Sequence, residues 1–237
     1  MNDQIKPTED TQDIEFLHEI GSRIAAADTL ESILQRILDF IADLVRCDSC
    51  MIYVLQGERL VLSASKNPHP DLLNRLGLTM GQGITGWVAE HRQTVAITSD
   101  ASNDPRFRMF HDLPGDLYEA FLSVPILCRG KIVGVINLQH RQSHHHTQRE
   151  IRLITTIGFL VGAELELARI ESERAEMQRQ LETRKLMERA KGIIQRQLNI
   201  DEEGAYLALQ KLSRQKRRPI REIAEAIILS EELRAGI

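Results

Sequence analysis

Cysteine is scarce in this chain: Cys47, Cys50 and Cys128 are the only three among 237 residues, too few for a disulfide framework. Cys47-Asp-Ser-Cys50 has C-x-x-C spacing but no second cysteine pair and no redox-type flank. It falls where a helix gives way to a strand, so two small buried side chains are expected. No apolar run approaches the ~18 residues that cross a bilayer. The segment Met1–Asp13 is polar and acidic, without the apolar core of a secretory leader, and a soluble, cytoplasmic protein is expected. A Walker-type glycine loop, a nucleophile elbow and a receiver-like acidic pocket are all missing, which excludes the commonest phosphoryl and acyl chemistries. A strong charge of one sign is missing too: 30 basic against 34 acidic residues leave a net charge of −4, and taken whole that balance argues against a nucleic-acid binder.

The balance is an average over two unlike parts. Up to Thr183 there are 18 basic and 26 acidic residues, and from Arg184 to Ile237 there are 12 and 8. An acidic module is therefore followed by a basic one. Within the latter, Lys211-Leu-Ser-Arg-Gln-Lys-Arg-Arg-Pro-Ile-Arg221 holds six basic residues and no acid. Such asymmetry points to a polyanionic partner, although a charge run also serves simply as a solvated face.

Ile14, Leu17, Ile20 and Ile24 predict a helix over 13–27. A second begins at the capping pair Asp28-Thr29 and runs to about Arg46, with Leu30, Ile33/Leu34, Ile37, Ile41 and Leu44 inward. The period then changes to strands at Ser49–Leu55 and Leu60–Ser65, joined by the Gln56-Gly57-Glu58 turn. A short helical stretch is expected at Asp71–Leu76, one or two helical turns from Trp87, and a strand at Thr94–Thr98. Ser99–Glu119 is rich in loop residues. Strands Ala120–Cys128 and Lys131–Gln139 meet at a tight Arg129-Gly130 turn. The sum is an α+β domain with one antiparallel sheet flanked by helices.

From about Thr147 to Leu198 the pattern is helical without proline. Its apolar stripe (Ile154, Ile157, Val161, Leu165, Ala168, Ala175, Leu181) is near-heptad. A polar helix that long is expected to pair with a second copy as a parallel coiled coil, though its first half alone could fold back on its own domain. Asp201 caps a following helix with Ala205, Leu209 and Leu212 inward. Pro219 stands in the first turn of a last one with Ile220, Ile223, Ala224, Ile227 and Ile228 inward. The long helix thus leads into a small all-α, three-helix domain.

Three segments in order, Gly81-Gln-Gly-Ile-Thr-Gly-Trp-Val-Ala-Glu90, Asp104-Pro-Arg-Phe107 and Ser123-Val-Pro-Ile126 with Lys131-Ile-Val-Gly-Val-Ile-Asn-Leu138, resemble a GAF domain, the small-molecule sensor fold of signalling proteins. Arg184-Lys-Leu-Met-Glu-Arg-Ala-Lys-Gly-Ile-Ile194, Asp201-Glu-Glu, Ala205-Tyr206, Leu209, Ser213 and Ile223-Ala224 resemble an ANTAR domain, the RNA-binding module of transcription antiterminators. The expected layout is a flexible N-terminus (1–12), a GAF-like domain (13–168), a coiled-coil signalling helix (169–185) and an ANTAR-like domain (186–237). The resemblance implies a dimer that binds the loops of paired hairpins in a nascent transcript. Gly204 departs from it where an acid is usual, removing the capping-box partner of Asp201. Gln210 departs where arginine is usual.

RNA loops expose phosphates and unstacked bases, so a reader needs cations together with flat or donor groups. The candidates are Lys191, Gly192, Arg196, Tyr206, Lys211, Arg214, Lys216, Arg217, Arg218 and Arg221. Tyr206 is the module's only aromatic residue, either a stacking platform or partly buried support. Gly192 permits close approach of a helix or of RNA, since glycine inside a helix costs ~1 kcal/mol against alanine. In the sensor domain Tyr53, Trp87 and Phe107 are candidate pocket residues, with plain core as the alternative. The input is left open between a small-molecule ligand, a signalling protein and redox state, with a mainly dimerising role as the alternative, and any cofactor is unknown. His144-His-His146, next to His140, reads as a solvated loop, so no metal site is expected. Gly81-x-Gly83-x-x-Gly86 lacks the long helix of a dinucleotide fingerprint. With no catalytic pair in view, a regulator rather than an enzyme is expected. The alternative is a ligand-binding module whose last helices dock a protein or DNA partner.

Overall fold

The structure is a computed structural model that describes residues 18, 21–22, 29–66, 72–107 and 117–236. Segment 1–12 and all but residues 18 and 21–22 of the helix expected over 13–27 lie outside these. The chain divides into two compact units, Met1–Ala168 and Arg169–Ile237.

In the first unit α1 (Leu30–Val45) starts where Thr29 Oγ1 accepts the Ser32 N–H at 3.2 Å and ends where Arg46 turns left-handed. Its inward stripe follows the expectation except at one position: Leu44 is 41% exposed, and Leu38, Phe40 and Val45 are buried instead. The stripe on a helix drifts because 3.6 residues per turn do not repeat evenly over seven.

Six antiparallel strands follow, β1 (Ser49–Gln56), β2 (Arg59–Ser65), β3 (Gly77–Thr79), β4 (Val95–Ile97), β5 (Ala120–Cys128) and β6 (Lys131–His140), in the spatial order β3-β2-β1-β6-β5-β4. Arg129 and Gly130 both have positive φ (50° and 74°), the backbone of a tight hairpin turn. Strand β3 escapes sequence reading because three residues show no alternation. The expected helix at Asp71–Leu76 is instead a tight turn over its described part, with Asn74 at φ 59°.

Both faces of the sheet are covered, which is why β1 and β5 read as continuous apolar runs. Cys50, Ile52, Leu122, Val124, Ile126, Ile136 and Leu138 meet α1 and the beginning of α3 (Gln148–Leu198). Met51, Tyr53, Phe121 and Val135 face the other way, toward α2 (Gly83–His91). A buried polar chain ties α2 to the sheet: Ser123 Oγ donates to Asn137 Oδ1 at 2.7 Å, and Asn137 Nδ2 donates to Thr85 Oγ1 at 2.7 Å. Helix α3 lies directly on β5, since a Cβ at Gly162 would stand 2.6 Å from the Leu127 carbonyl oxygen. A Cβ at Gly134 in β6 would likewise collide with the Tyr53 carbonyl.

In the second unit the end of α3 packs with α4 (Glu202–Lys216) and α5 (Ile220–Ala235) around Ala190, Ile193, Ile194, Ala205, Leu209, Ala224 and Ile228. Leu212 is only half-buried, and Pro219 precedes α5 rather than standing inside its first turn. Among the described residues no helix is long and apolar enough to cross a membrane.

Candidate nucleic-acid interface

The second unit owes its shape to two chain reversals. At the first, Asn199 is left-handed (φ 51°) and Asp201 Oδ1 accepts the Gly204 N–H at 2.8 Å. The cap therefore forms although Gly204 supplies no returning side chain. At the second, Arg217 is left-handed (φ 51°), Arg218 N–H donates to the Ser213 carbonyl at 3.1 Å, and Ser213 Oγ donates to the Arg218 carbonyl at 2.6 Å. Ser213 thus locks the corner that carries the basic run.

The structure sorts the expected cations into two groups. Lys211, Arg214, Lys216 and Arg217 are exposed and, among the described residues, make no ion pair. They crowd the end of α4, where positive charge also complements the negative end of the helix. Arg196 is likewise exposed and makes no ion pair among the described residues, and the remaining three are engaged. Arg218 pairs with Glu222 at 3.0 Å, and Arg221 with Glu225 at 2.9 Å. Lys191 is the extreme: only 9% exposed, its Nζ lies 2.8 Å from Glu188 and 2.6 Å from Glu202. Those two carboxylates hold its ammonium above the ordinary lysine range, while Lys191 holds the Glu202 carboxyl below its own. Lys191 ties α3 to the start of α4.

Lys191, Tyr206 and Arg221 also line one groove of about 610 Å³, together with Arg184, over Met187 and Ile220. Tyr206 is 44% exposed there, an open ring rather than core support. Arg179 and Arg184 are lining cations that sequence reasoning did not single out, although Arg184 opens the motif. Arg196 is exposed one turn beyond Gly192. A Cβ at Gly192 would meet only Arg196 Nη1, at 3.8 Å. Among the described residues no other atom outside the local helix backbone comes within 4 Å of that position.

Tyr53, Trp87 and Phe107 share one face of the sheet in the first unit. Tyr53 is buried, its hydroxyl donating to Met51 Sδ at 3.6 Å, and burial pushes its phenol well up. Trp87 is half-buried, stacked on His91 at 4.2 Å, with the Arg106 guanidinium 4.8 Å from its ring centroid. Asp104 fixes that guanidinium through Nε at 2.8 Å and Nη2 at 2.7 Å. The Asp104-Pro-Arg-Phe107 segment is a clamp on Trp87.

Two sequence expectations are corrected. Cys50 is buried but Cys47 is half-buried, and their mutual hydrogen bond lowers the Cys47 thiol and raises that of Cys50. The histidine run is not a solvated loop. His140 and His146 are 6% and 5% exposed, and they cluster with half-buried His144. Burial lowers the His140 imidazole and takes that of His146 down to about 4. Spacing did not reveal this, because the burial comes from contacts distant in sequence, such as the His144 N–H donating to the Thr98 carbonyl.

A family model described as GAF domain matches residues 29–165, and one described as ANTAR domain matches residues 175–228. The chain is 34% identical over 76 residues to the transcriptional regulatory protein PdtaR of Mycobacterium tuberculosis, covering 32% of this chain and 37% of that protein. It is 30% identical over 141 residues to the dual 3',5'-cyclic-AMP and -GMP phosphodiesterase 11A of Takifugu rubripes, covering 54% of this chain and 16% of the enzyme. The chain therefore spans well under half the length of either relative. The GAF domain of a phosphoenolpyruvate-protein phosphotransferase from Coxiella burnetii superposes with a TM-score of 0.65 at 24% identity, covering 70% of this chain and 99% of that one. That likeness is one of fold.

Proposed function

The chain belongs to the GAF domain family and carries an ANTAR domain behind it, and from that premise we propose that it is a cytoplasmic, signal-responsive transcription antitermination regulator without enzymatic activity. In this reading the ANTAR unit binds hairpin loops of a nascent transcript, and the GAF unit controls that binding. The observation that carries it is the set of four cations, Lys211, Arg214, Lys216 and Arg217, that stand together at one corner and make no ion pair among the described residues, whereas Arg189, Lys191, Arg218 and Arg221 of the same unit are paired with carboxylates. A solvated helix end needs fewer charges than that, whereas a phosphate backbone rewards each one through counterion release. The open ring of Tyr206 beside Arg184 and Arg221 offers a stacking surface for an unpaired base.

Dimerisation would place two such units on one transcript. Its support lies on α3, where Leu167, Ile170, Met177 and Leu181 are 46–68% exposed at three-, seven- and four-residue steps, the spacing of a coiled-coil seam. A ligand or partner at the GAF unit would then bias two packings of that seam, so that the paired ANTAR units do or do not match two hairpins. Filter binding of the full chain to a two-hairpin RNA tests this. Affinity should fall steeply with salt and resist duplex DNA competitor. A flat salt dependence, or equal competition by DNA, would remove the RNA assignment, and a strict monomer by native mass spectrometry would remove the two-hairpin mechanism.

A further inference from the structure

We propose that His140, His144 and His146 bind a divalent first-row transition ion of the zinc class, with Glu150 as fourth ligand. The three imidazoles each offer a ring nitrogen, and these atoms all lie within 4.8 Å of one another. Four ring nitrogens, His140 Nε2, His144 Nε2 and both of His146, are buried without a hydrogen-bond partner. Buried polar atoms nearly always have one, and a cluster of free imidazole lone pairs is what such an ion requires. The stacked rings of His140 and His144, 3.9 Å apart, exclude any arrangement in which the two satisfy each other edge to edge.

The backbone already holds the ligands in place. The His140 carbonyl accepts the Glu119 N–H at 2.8 Å, and the His144 N–H donates to the Thr98 carbonyl at 2.9 Å. Glu150 Oε1 is 3.7 Å from His144 Nε2. Its other oxygen, Oε2, accepts the Thr147 N–H at 2.7 Å, while Thr147 Oγ1 accepts the Glu150 N–H at 3.1 Å, the reciprocal bonds of a capping box. Ligand nitrogens around a tetrahedral ion stand about 3.4 Å apart at bond lengths of ~2.0–2.1 Å. From within 4.8 Å of one another, the nitrogens would have to draw closer together to hold the ion.

The donor set selects the ion. Imidazoles with a single carboxylate suit Zn²⁺ and its transition-metal neighbours, whereas Ca²⁺ and Mg²⁺ require predominantly oxygen ligands. A bound ion would join the end of β6, the connecting loop and the cap of α3, making the start of the long helix sensitive to metal. The assignment concerns ion binding alone and stands apart from the RNA reading.

Titrating the metal-free full chain with Co²⁺, read by the visible d–d absorption of the bound ion, tests it. Saturation at one equivalent and displacement by Zn²⁺ are expected. His146→Ala and His144→Gln should weaken binding by about 100-fold, and Glu150→Gln, which keeps the helix cap, by ~10-fold. His145→Ala, an exposed neighbour in the same run, should change nothing. His144 is half-buried, so its variant keeps the test open if the buried ones misfold, with circular dichroism as the check. Absence of a saturable one-equivalent spectrum, unchanged affinity in His144→Gln, or equal loss in His145→Ala would overturn the site.

Discussion

The two halves of α3 carry apolar side chains at similar spacing and meet opposite surroundings. Ile154, Ile157, Val161 and Leu165 are 0–5% exposed, packed on the sheet, while Leu167, Ile170, Met177 and Leu181 are 46–68% exposed. The single stripe expected from the sequence, running from Ile154 to Leu181, joins residues of two different faces. At 100° per residue Leu181 lies about 160° round the helix from Leu165 but only about 40° from Leu167. Periodicity names a face; it does not say what covers it.

Aspartate substitutions should separate the halves most sharply. Val161→Asp places an unpaired carboxylate in the core and should destabilise the GAF unit by more than about 4 kcal/mol in urea unfolding. Met177→Asp should leave that transition within ~0.5 kcal/mol of the parent and instead shift sedimentation equilibrium toward monomer. Equal destabilisation by the two would erase the distinction.

The same contrast of covered and open surface recurs inside the ANTAR unit. Leu209 is fully buried among its three helices, and Leu209→Ala should cost about 2–5 kcal/mol of that unit's stability, read by thermal unfolding. Arg217→Ala should leave melting unchanged and lower the salt slope of RNA binding by ~1. Lys191→Met should do the reverse, loosening the joint between α3 and α4 with little change in slope, because that cation is already neutralised by Glu188 and Glu202. A Lys191→Met variant that loses slope without losing stability would return Lys191 to the RNA-contacting set.

The smallest effect concerns the clamp on Trp87. The Arg106 guanidinium holds the Asp104 carboxyl below the usual carboxylate range, mainly through its side-chain hydrogen bonds. That depressed value adds stability above pH ~4, where the unfolded carboxyl is ionised, and the contribution is lost as pH falls through the folded value. Asp104→Asn should therefore cost under about 1 kcal/mol at neutral pH and flatten the acid side of the stability curve. An unaltered acid slope would mean the pair contributes nothing.

Much of the fold was legible because local chemistry repeats there. Thr29 caps α1, Arg129-Gly130 turns the hairpin, and short apolar runs mark β1, β5 and β6. The site was legible only in part. Ten candidate residues share one basic module, yet a run of charges looks the same whether its carboxylate partners are near or far in space. Glu202 is eleven residues from Lys191 in sequence and 2.6 Å away in the structure. Arg184 opens the motif but was passed over, because its place beside Tyr206 and Arg221 in one groove is set only by the fold.

The sequence by itself determined that an acidic α+β domain is joined by a long helix to a basic three-helix unit. Composition, period and capping act over a few residues and survive without the fold. Only the tertiary structure decided which cations remain free, which apolar stripe is core, and that three histidines of a polar-looking stretch lie together and mostly buried. Those outcomes depend on which groups meet across long stretches of chain, and burial and electrostatic pairing are set by that meeting rather than by residue type.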